Sequence, residues 1–272
     1  MNKIIRQIGE IWQYRELIRN LVVRDLKVRY KNSALGVAWS WISPLLMMIV
    51  YTIFFTVFWG NRDIEHYPVF LLCGLLPWQF FSTAVMQTTG SIVSNAHLIK
   101  KVYLPREILP ISIVLSELVN FLIALPIFFS LALISGASLS WTVLLLPAIM
   151  LVQLAFILGL GFMLATLNVF YRDTQHLLGV AMQAWFFLTP VFYPIRIVPQ
   201  EARLLGITFN AHLWLRRLNP MASIIASYRE LLYYGIPSGL DFFLRTAVTA
   251  VAVLVVGYVI FTHFSGRFGE EV

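Results

Sequence analysis

Charged side chains are scarce in this sequence: Asp, Glu, Lys and Arg together make up 12% of its 272 residues, about half the share of an ordinary soluble domain. With 59% hydrophobic residues and a mean hydropathy of +0.79, that scarcity excludes a soluble globular fold. A membrane crossing takes roughly 20 apolar residues, so a chain this long holds several, and the expected class is an all-α polytopic membrane protein. Cysteine is nearly absent; Cys73 alone sits in an apolar run, permits no internal disulfide and says little about redox compartment. No G-x-x-x-x-G-K-[ST] motif occurs, which excludes a P-loop for ATP phosphates on this chain. Neither H-E-x-x-H nor a metal-spaced Cys/His cluster occurs, so no metal site, no cofactor and no catalytic residue is expected here. His66, His97, His176, His212 and His263 scatter near predicted membrane boundaries, where an interfacial role suffices for each. Acidic residues number 13 against 20 basic ones, a net charge of +7. Such a balance can signal nucleic acid, but in so apolar a chain it fits an anionic membrane surface or lipid headgroup. No nucleic-acid partner is expected.

What is there is organised around Val22 to Leu46, VVRDLKVRYKNSALGVAWSWISPLL. Arg24, Lys27, Arg29 and Lys31 crowd its start, and no further charge appears until Arg62. A basic segment thus turns through Asn32, Ser33 and Gly36 into a run long enough to cross a bilayer. The residues before it are not a cleavable signal, because residues 1–31 hold eight Lys/Arg, three acidic residues and no uninterrupted apolar core. Ile4, Ile5, Ile8, Ile11 and Trp12 fall at helical spacing, and Leu17, Ile18, Leu21 and Val22 repeat the pattern. Residues 1–31 therefore read as a cytoplasmic arm of one or two amphipathic helices in the membrane interface, with Trp12 and Tyr14 at headgroup depth. A helix packed on a soluble partner is the alternative.

Six spans are predicted, within one transmembrane domain over 32–272. They lie within Ser33–Trp59, at about Pro68–Ser94 with a kink near Pro77, as a hairpin of two spans in Ile108–Tyr171 broken at residues 136–140, at Thr174–Tyr193, and at about Phe242–Phe264. The excess of Lys and Arg on the arm and on the loops at Lys100, Lys101, Arg106, Arg172 and Arg267 puts both termini in the cytoplasm. Between spans five and six, the outer segment 195–241 is not plain loop. Asn219 is a good N-cap, Pro220 suits the first helical position, and Ile224, Ile225, Tyr228, Leu231 and Leu232 form one apolar face. That helix is too short to span, and with the stretch from Pro199 to Arg217 it predicts a re-entrant or surface helical pair closed by Gly235 and Pro237. Two readings fit it: an outer gate that includes Tyr228 and Arg229, or a lid that seals the bundle.

Four features can carry function. The inner loop Asn95–Glu107 presents Leu98, Ile99, Val102 and Tyr103 on one face, with Lys100, Lys101 and Arg106 on its rim. An exposed apolar face of this kind invites a protein partner, although cations on an inner loop are also an ordinary membrane anchor. Glu117 lies about a third of the way into span three, where a carboxylate costs roughly 2.5–3.5 kcal/mol; it is either a pathway group or a structural hydrogen-bond partner. Tyr51, Phe55, Phe58 and Trp59 share a face near the outer end of span one. They suit sugar rings along a substrate path, or an interfacial aromatic belt. Finally, Arg24, Lys27, Arg29 and Lys31 can attract an anionic lipid headgroup.

The ordered set formed by residues 24–31 with Ser33, Leu35, Gly36, Trp39 and Pro44, by LIKKVYLPRE at 98–107, FYRD at 170–173, LTPVFYP at 188–194 and LNP at 218–220 resembles the permease subunits of polysaccharide-export ABC transporters. The resemblance covers nearly the whole chain. It implies a bacterial cytoplasmic (inner) membrane protein that moves lipid-linked O-antigen, capsule or teichoic-acid polymer and is not itself an enzyme. It further implies a homodimer working with two copies of a separate P-loop ATPase, which would hold ATP and Mg. The 95–107 loop would dock on that ATPase, the basic arm would capture the polyprenyl-diphosphate end, and Tyr51, Phe55, Trp59 and Glu117 would line the path. A drug or lipid exporter permease is the alternative within this class. A membrane glycosyl- or phosphotransferase would need clustered carboxylates or a metal site, and an ion-coupled transporter paired intramembrane charges or an inverted repeat; the sequence offers none of these.

Overall fold

The computed structural model describes residues 12–272 except 32, 34, 59–63, 102–103, 137–139 and 205–206. Ile4, Ile5, Ile8 and Ile11, expected to open the apolar face of the arm, lie outside the described residues. The arm helix α1 (Arg15–Tyr30) carries Glu16 in its first turn and Lys27 and Arg29 in its last, the charge order that complements a helix dipole. The chain then turns at Gly36, whose φ of +50° lies in the left-handed region open to glycine. A 3-10 turn leads into α2 (Trp39–Ile53), which a π turn at Phe54–Phe58 extends.

Helix α3 (Tyr67–Ser94) is the centre of the bundle. Val69, Phe70, Leu71, Leu72 and Cys73 are at most 1% exposed on consecutive positions, so it is apolar all round and enclosed on all sides. It runs unbroken through Pro77, and the Gln153 amide donates to the Pro77 carbonyl at 2.8 Å. The short α4 (Ala96–Lys101) leads to α5 (Ile108–Ile134), and a turn at Gly136 leads to a 3-10 stretch and α6 (Leu146–Phe170). Helix α7 (Thr174–Leu188) follows, and α10 (Leu240–Phe264) closes the bundle before a last turn, α11 (Phe268–Glu271).

Among the described residues, five stretches are long and apolar enough to cross a membrane: Gly36–Phe58, Tyr67–Ser94, Ile108–Ile134, Trp141–Phe170 and Leu240–Glu271. They correspond to predicted spans one to four and six. Predicted span five, Thr174–Tyr193, is different. Its helix stops at Leu188 after 15 residues, about 22 Å at 1.5 Å per residue, against roughly 30 Å for the hydrocarbon core. Thr189 has ψ 133°, the extended backbone favoured before a proline. Val191 and Phe192 then fold back into the core.

The outer segment departs from the helical pair in one respect. Two strands, β1 (Glu201–Leu204) and β2 (Ile207–Asn210), pair antiparallel, with Glu201 opposite Asn210 and Leu204 opposite Ile207. The Ile207-Thr208-Phe209 run has strand propensity, which the helical reading passed over. Two helices do follow, α8 (Ala211–Leu218) and α9 (Pro220–Leu232). Asn219 caps α9 by accepting from the Ala222 N–H at 3.2 Å, and its amide donates to Thr189 Oγ1 at 2.9 Å. Met221, Ile224, Ile225, Tyr228 and Leu231 are at most 1% exposed. Helix α9 is therefore sunk among α3, α6 and α10, where a short helix end is tolerable because protein encloses it.

A second cluster of Leu21, Ile92, Ile108, Leu109, Phe162, Val169, Phe261 and Phe268 closes the end of the bundle that carries the arm. Between the two clusters α6 and α10 approach closely. A Cβ on Gly159 would lie 2.6 Å from the Val253 carbonyl, and one on Gly257 would overlap the Gly159 carbonyl. Small residues at such crossings let backbones meet. We expect Gly257→Ala to lower stability by about 1–3 kcal/mol through overpacking, measured as thermal unfolding in detergent. Gly266→Ala, where nothing lies within 4 Å of the added carbon, is expected to stay within about 0.5 kcal/mol.

Candidate functional site

The basic arm and the span-three carboxylate, read separately in the sequence, meet in the structure. Both Nη atoms of Arg29 donate to the two carboxylate oxygens of Glu117. The Glu117 side chain is 1% exposed and that of Arg29 is 27% exposed. Bidentate pairing of this kind combines two charge-assisted hydrogen bonds with fixed geometry. The bond to Glu117 raises the Arg29 pKa, against the opposing effect of burial, so the guanidinium stays charged. One residue further along, the Tyr30 hydroxyl and Ser40 Oγ lie in hydrogen-bond contact with each other and each 2.6 Å from Asn120 Oδ1, so that one hydroxyl donates to the other and the other donates to the amide oxygen. The Trp41 indole N–H donates to the Ile123 carbonyl, also at 2.6 Å. These contacts lock the end of α1 and the start of α2 onto α5. They border a cavity of about 310 Å³ that also carries Gln79, Thr83 and Ser43.

The other three basic residues point elsewhere. Arg24, Lys27 and Lys31, with Val23, Val28, Val37 and Ile123, line an open groove of about 900 Å³ along the opposite side of α1. Arg24 also reaches Asp25 at 2.9 Å. The four-residue cationic set is thus divided: three side chains border a largely apolar groove, and Arg29 is committed to Glu117.

The inner loop is also placed differently from its sequence pattern. Leu98 and Ile99 are half-buried and pack against the second cluster rather than standing out from the surface. Lys100 and Lys101 are exposed, Arg106 is half-buried, and Val102 and Tyr103 lie outside the described residues. In the neighbouring turn, Tyr171, Arg172 and Asp173 are exposed while Phe170 packs into the cluster.

At the far end, Tyr51 and Phe55 face inward onto the segment that follows α7. Phe192 stacks on Phe55 at 4.9 Å between ring centroids and on Tyr51 at 6.1 Å. With Val50, Phe54, Phe187 and Tyr193 these rings line a groove of about 700 Å³. Phe58 is 78% exposed, and Trp59 lies outside the described residues. Behind the groove sits Arg229, 5% exposed. Its guanidinium donates to the carbonyls of Pro190, Val191 and Tyr193 and lies 3.8 Å from the centroid of the Phe70 ring. Gly74 leaves room for this arrangement, since a Cβ there would come within 2.9 Å of Arg229 Nη2. Tyr228 faces the other way and donates to Gln153 Oε1 at 2.7 Å, linking α9 through α6 to the Pro77 carbonyl of α3.

Sequence reasoning missed Asn120 as a partner of the arm, Gln153 as the hub of the buried chain, and Phe192 as the centre of the aromatic groove. The isolated polar residue in the apolar run around Gln153 was the available signal. No group of His, Cys, Asp and Glu among the described residues is arranged to hold a metal ion.

Residues 16–233 match the family model described as ABC-2 type transporter. Two relatives run nearly the full length and a third covers most of it. The O-antigen export system permease protein RfbA of Myxococcus xanthus is 36% identical, covering 99% of this chain and all of the relative. A protein of the same name from Klebsiella pneumoniae is 32% identical over 98% of each chain. The polysialic acid transport protein KpsM of Escherichia coli is 22% identical over 80% of this chain and 81% of its own.

Arg229 provides a test of how the outer segment is held. Arg229→Gln leaves buried carbonyls of the Pro190–Tyr193 segment without donors, at about 1–3 kcal/mol for each. The lone thiol, Cys73, is 1% exposed on the helix beneath. We expect a water-soluble maleimide to leave Cys73 unlabelled in the native protein and to label it in the variant. Equal protection in both would mean that Arg229 does not hold this segment down.

Proposed function

Because this chain belongs to the ABC-2 type transporter family, we propose that it is the membrane-spanning subunit of an ATP-driven exporter of lipid-linked cell-surface polysaccharide. The observation that carries this reading is full-length similarity to permeases named for O-antigen export, in a chain that has no P-loop of its own. Energy must therefore arrive from a separate ATPase. In this proposal the complex is a homodimer with two ATPase copies in the bacterial cytoplasmic membrane, both termini cytoplasmic, and α7 with the segment after it serves as the fifth of six crossings. A polyprenyl-diphosphate-linked glycan is its substrate.

The division of the arm refines how that substrate is met. The groove beside α1 joins apolar walls to Arg24, Lys27 and Lys31, which suits an isoprenoid chain with an anionic head. The groove at Tyr51, Phe55 and Phe192 offers ring faces to sugar C–H surfaces. Its floor is the segment that Arg229 grips, so release of that segment would open the path outward. Coupling runs through the surface of the 95–107 loop. Its exposed Lys100 and Lys101 meet the ATPase, joined by Arg106, Val102 and Tyr103. Leu98 and Ile99 pass the motion inward to the start of α5.

Two measurements check this proposal. Vesicles containing the chain with its co-expressed ATPase are expected to move a lipid-linked glycan across the bilayer only when ATP is supplied. ATP-independent movement, or none with an active ATPase, would overturn the reading. For the groove, Lys27→Gln and Lys31→Gln should each weaken binding of an isoprenyl-diphosphate probe by about 1 kcal/mol near the membrane surface, with the loss shrinking as salt is raised.

A further inference from the structure

The last eight residues, Ser265–Val272, do not simply end span six. Helix α10 alone runs 25 residues from Leu240 to Phe264, about 38 Å at 1.5 Å per residue, already beyond the roughly 30 Å hydrocarbon core. The tail therefore lies past the bilayer at the arm end. There it turns inward. The Phe268 ring is fully buried, an unusual place for the one aromatic side chain in a polar tail. It meets Phe261 of α10 at 5.2 Å and Phe170 of the 170–173 turn at 6.5 Å between centroids. The Arg106 guanidinium, at the end of the 95–107 loop, lies 5.9 Å from the same ring. Arg172 donates to the Glu271 carbonyl at 3.2 Å. The cluster around Phe268 also takes in Leu21 of the arm.

Three separate elements at this end, the arm, the 95–107 loop and the 170–173 turn, are thus gathered by one short segment. We propose that Ser265–Val272 is a clamp, with Phe268 as the positioning residue, that makes these elements one rigid block. A push from a partner on any of them then moves α5 and α10 together. Without the clamp each loop would yield locally, and the work of the ATPase would be lost in loop motion. Packed elements with a shared core transmit displacement as rigid bodies. This inference rests on the ATPase-coupled reading above.

The test uses the full chain assembled with its co-expressed ATPase, on a Cys73→Ala background. Spin labels are placed at Lys101 and Tyr171, both exposed. The native tail is expected to give one narrow distance distribution between the two loops. Phe268→Ala should broaden it and cut glycan exported per ATP hydrolysed at least tenfold, with the ATPase still bound, while Phe268→Leu should restore most of both. A narrow distribution and a native export ratio in Phe268→Ala would overturn the clamp. Should Phe268→Ala not assemble, Arg172→Gln, which removes the turn's hydrogen bond to the Glu271 carbonyl, carries the same comparison: a broadened distribution supports the clamp and an unchanged one contradicts it. If the native complex hydrolyses ATP without exporting glycan, the exporter reading fails, and the distance measurement still decides the clamp.

Discussion

Glu117 is a carboxylate inside an apolar bundle, and the arrangement of the chain around it follows from finding that charge a partner. The ion comes from Arg29, 88 positions earlier in the sequence, and reaching it lays α1 against α5. Once the pair forms, Tyr30 and Ser40 meet Asn120, and the turn at Gly36 is set between a docked arm and the first span. Breaking a buried pair by removing one partner costs about 3–5 kcal/mol. Partial exposure of Arg29 puts this pair toward the lower figure. The same requirement recurs at the other end, where Arg229, among the described residues, has backbone carbonyls and the Phe70 ring in place of a counter-ion.

Each of these charges holds in place a segment that lacks the length or apolarity to hold itself. The arm helix has an exposed basic side, and the stretch from Pro190 to Tyr193 lies beyond the last helical hydrogen bond, from the Thr189 N–H to the Phe186 carbonyl. In the proposed exporter these are the two regions assigned to change, one at substrate entry and one at its exit. A clamp made of a few charge-assisted hydrogen bonds is strong enough to define a resting state and local enough to be released. The central helix α3, buried along most of its length, and the close α6–α10 crossing supply the frame against which such movement occurs.

Much of this frame was legible in the sequence because length and hydropathy alone decide whether a segment can cross. The Asn219-Pro220 start of α9 was legible for a local reason, a capping side chain followed by a residue suited to the first turn. The end of α7 was not, since Val191, Phe192 and Tyr193 are as apolar as the helix before them and only Pro190 marks the break. The division of the basic set was hidden as well. A run of cations along a helix looks alike whether a given one faces a lipid or a carboxylate far away in sequence. Leu98 and Ile99 carried the pattern of an exposed face, but the tail that covers them belongs to the last residues of the chain. Phe268 is the sequence signal for that contact, a single ring among Gly, Arg and Glu.

The central requirement is that the Arg29–Glu117 pair fixes the arm to span three in the working transporter. It is tested most directly by charge exchange, with thermal unfolding and ATP-driven export measured on the same preparations. Arg29→Glu and Glu117→Arg are each expected to destabilise the protein by about 3 kcal/mol and to abolish export. The double exchange should recover much of both, because the opposite charges again face each other. Export at the native rate in either single variant, or no recovery in the double exchange, would contradict the account.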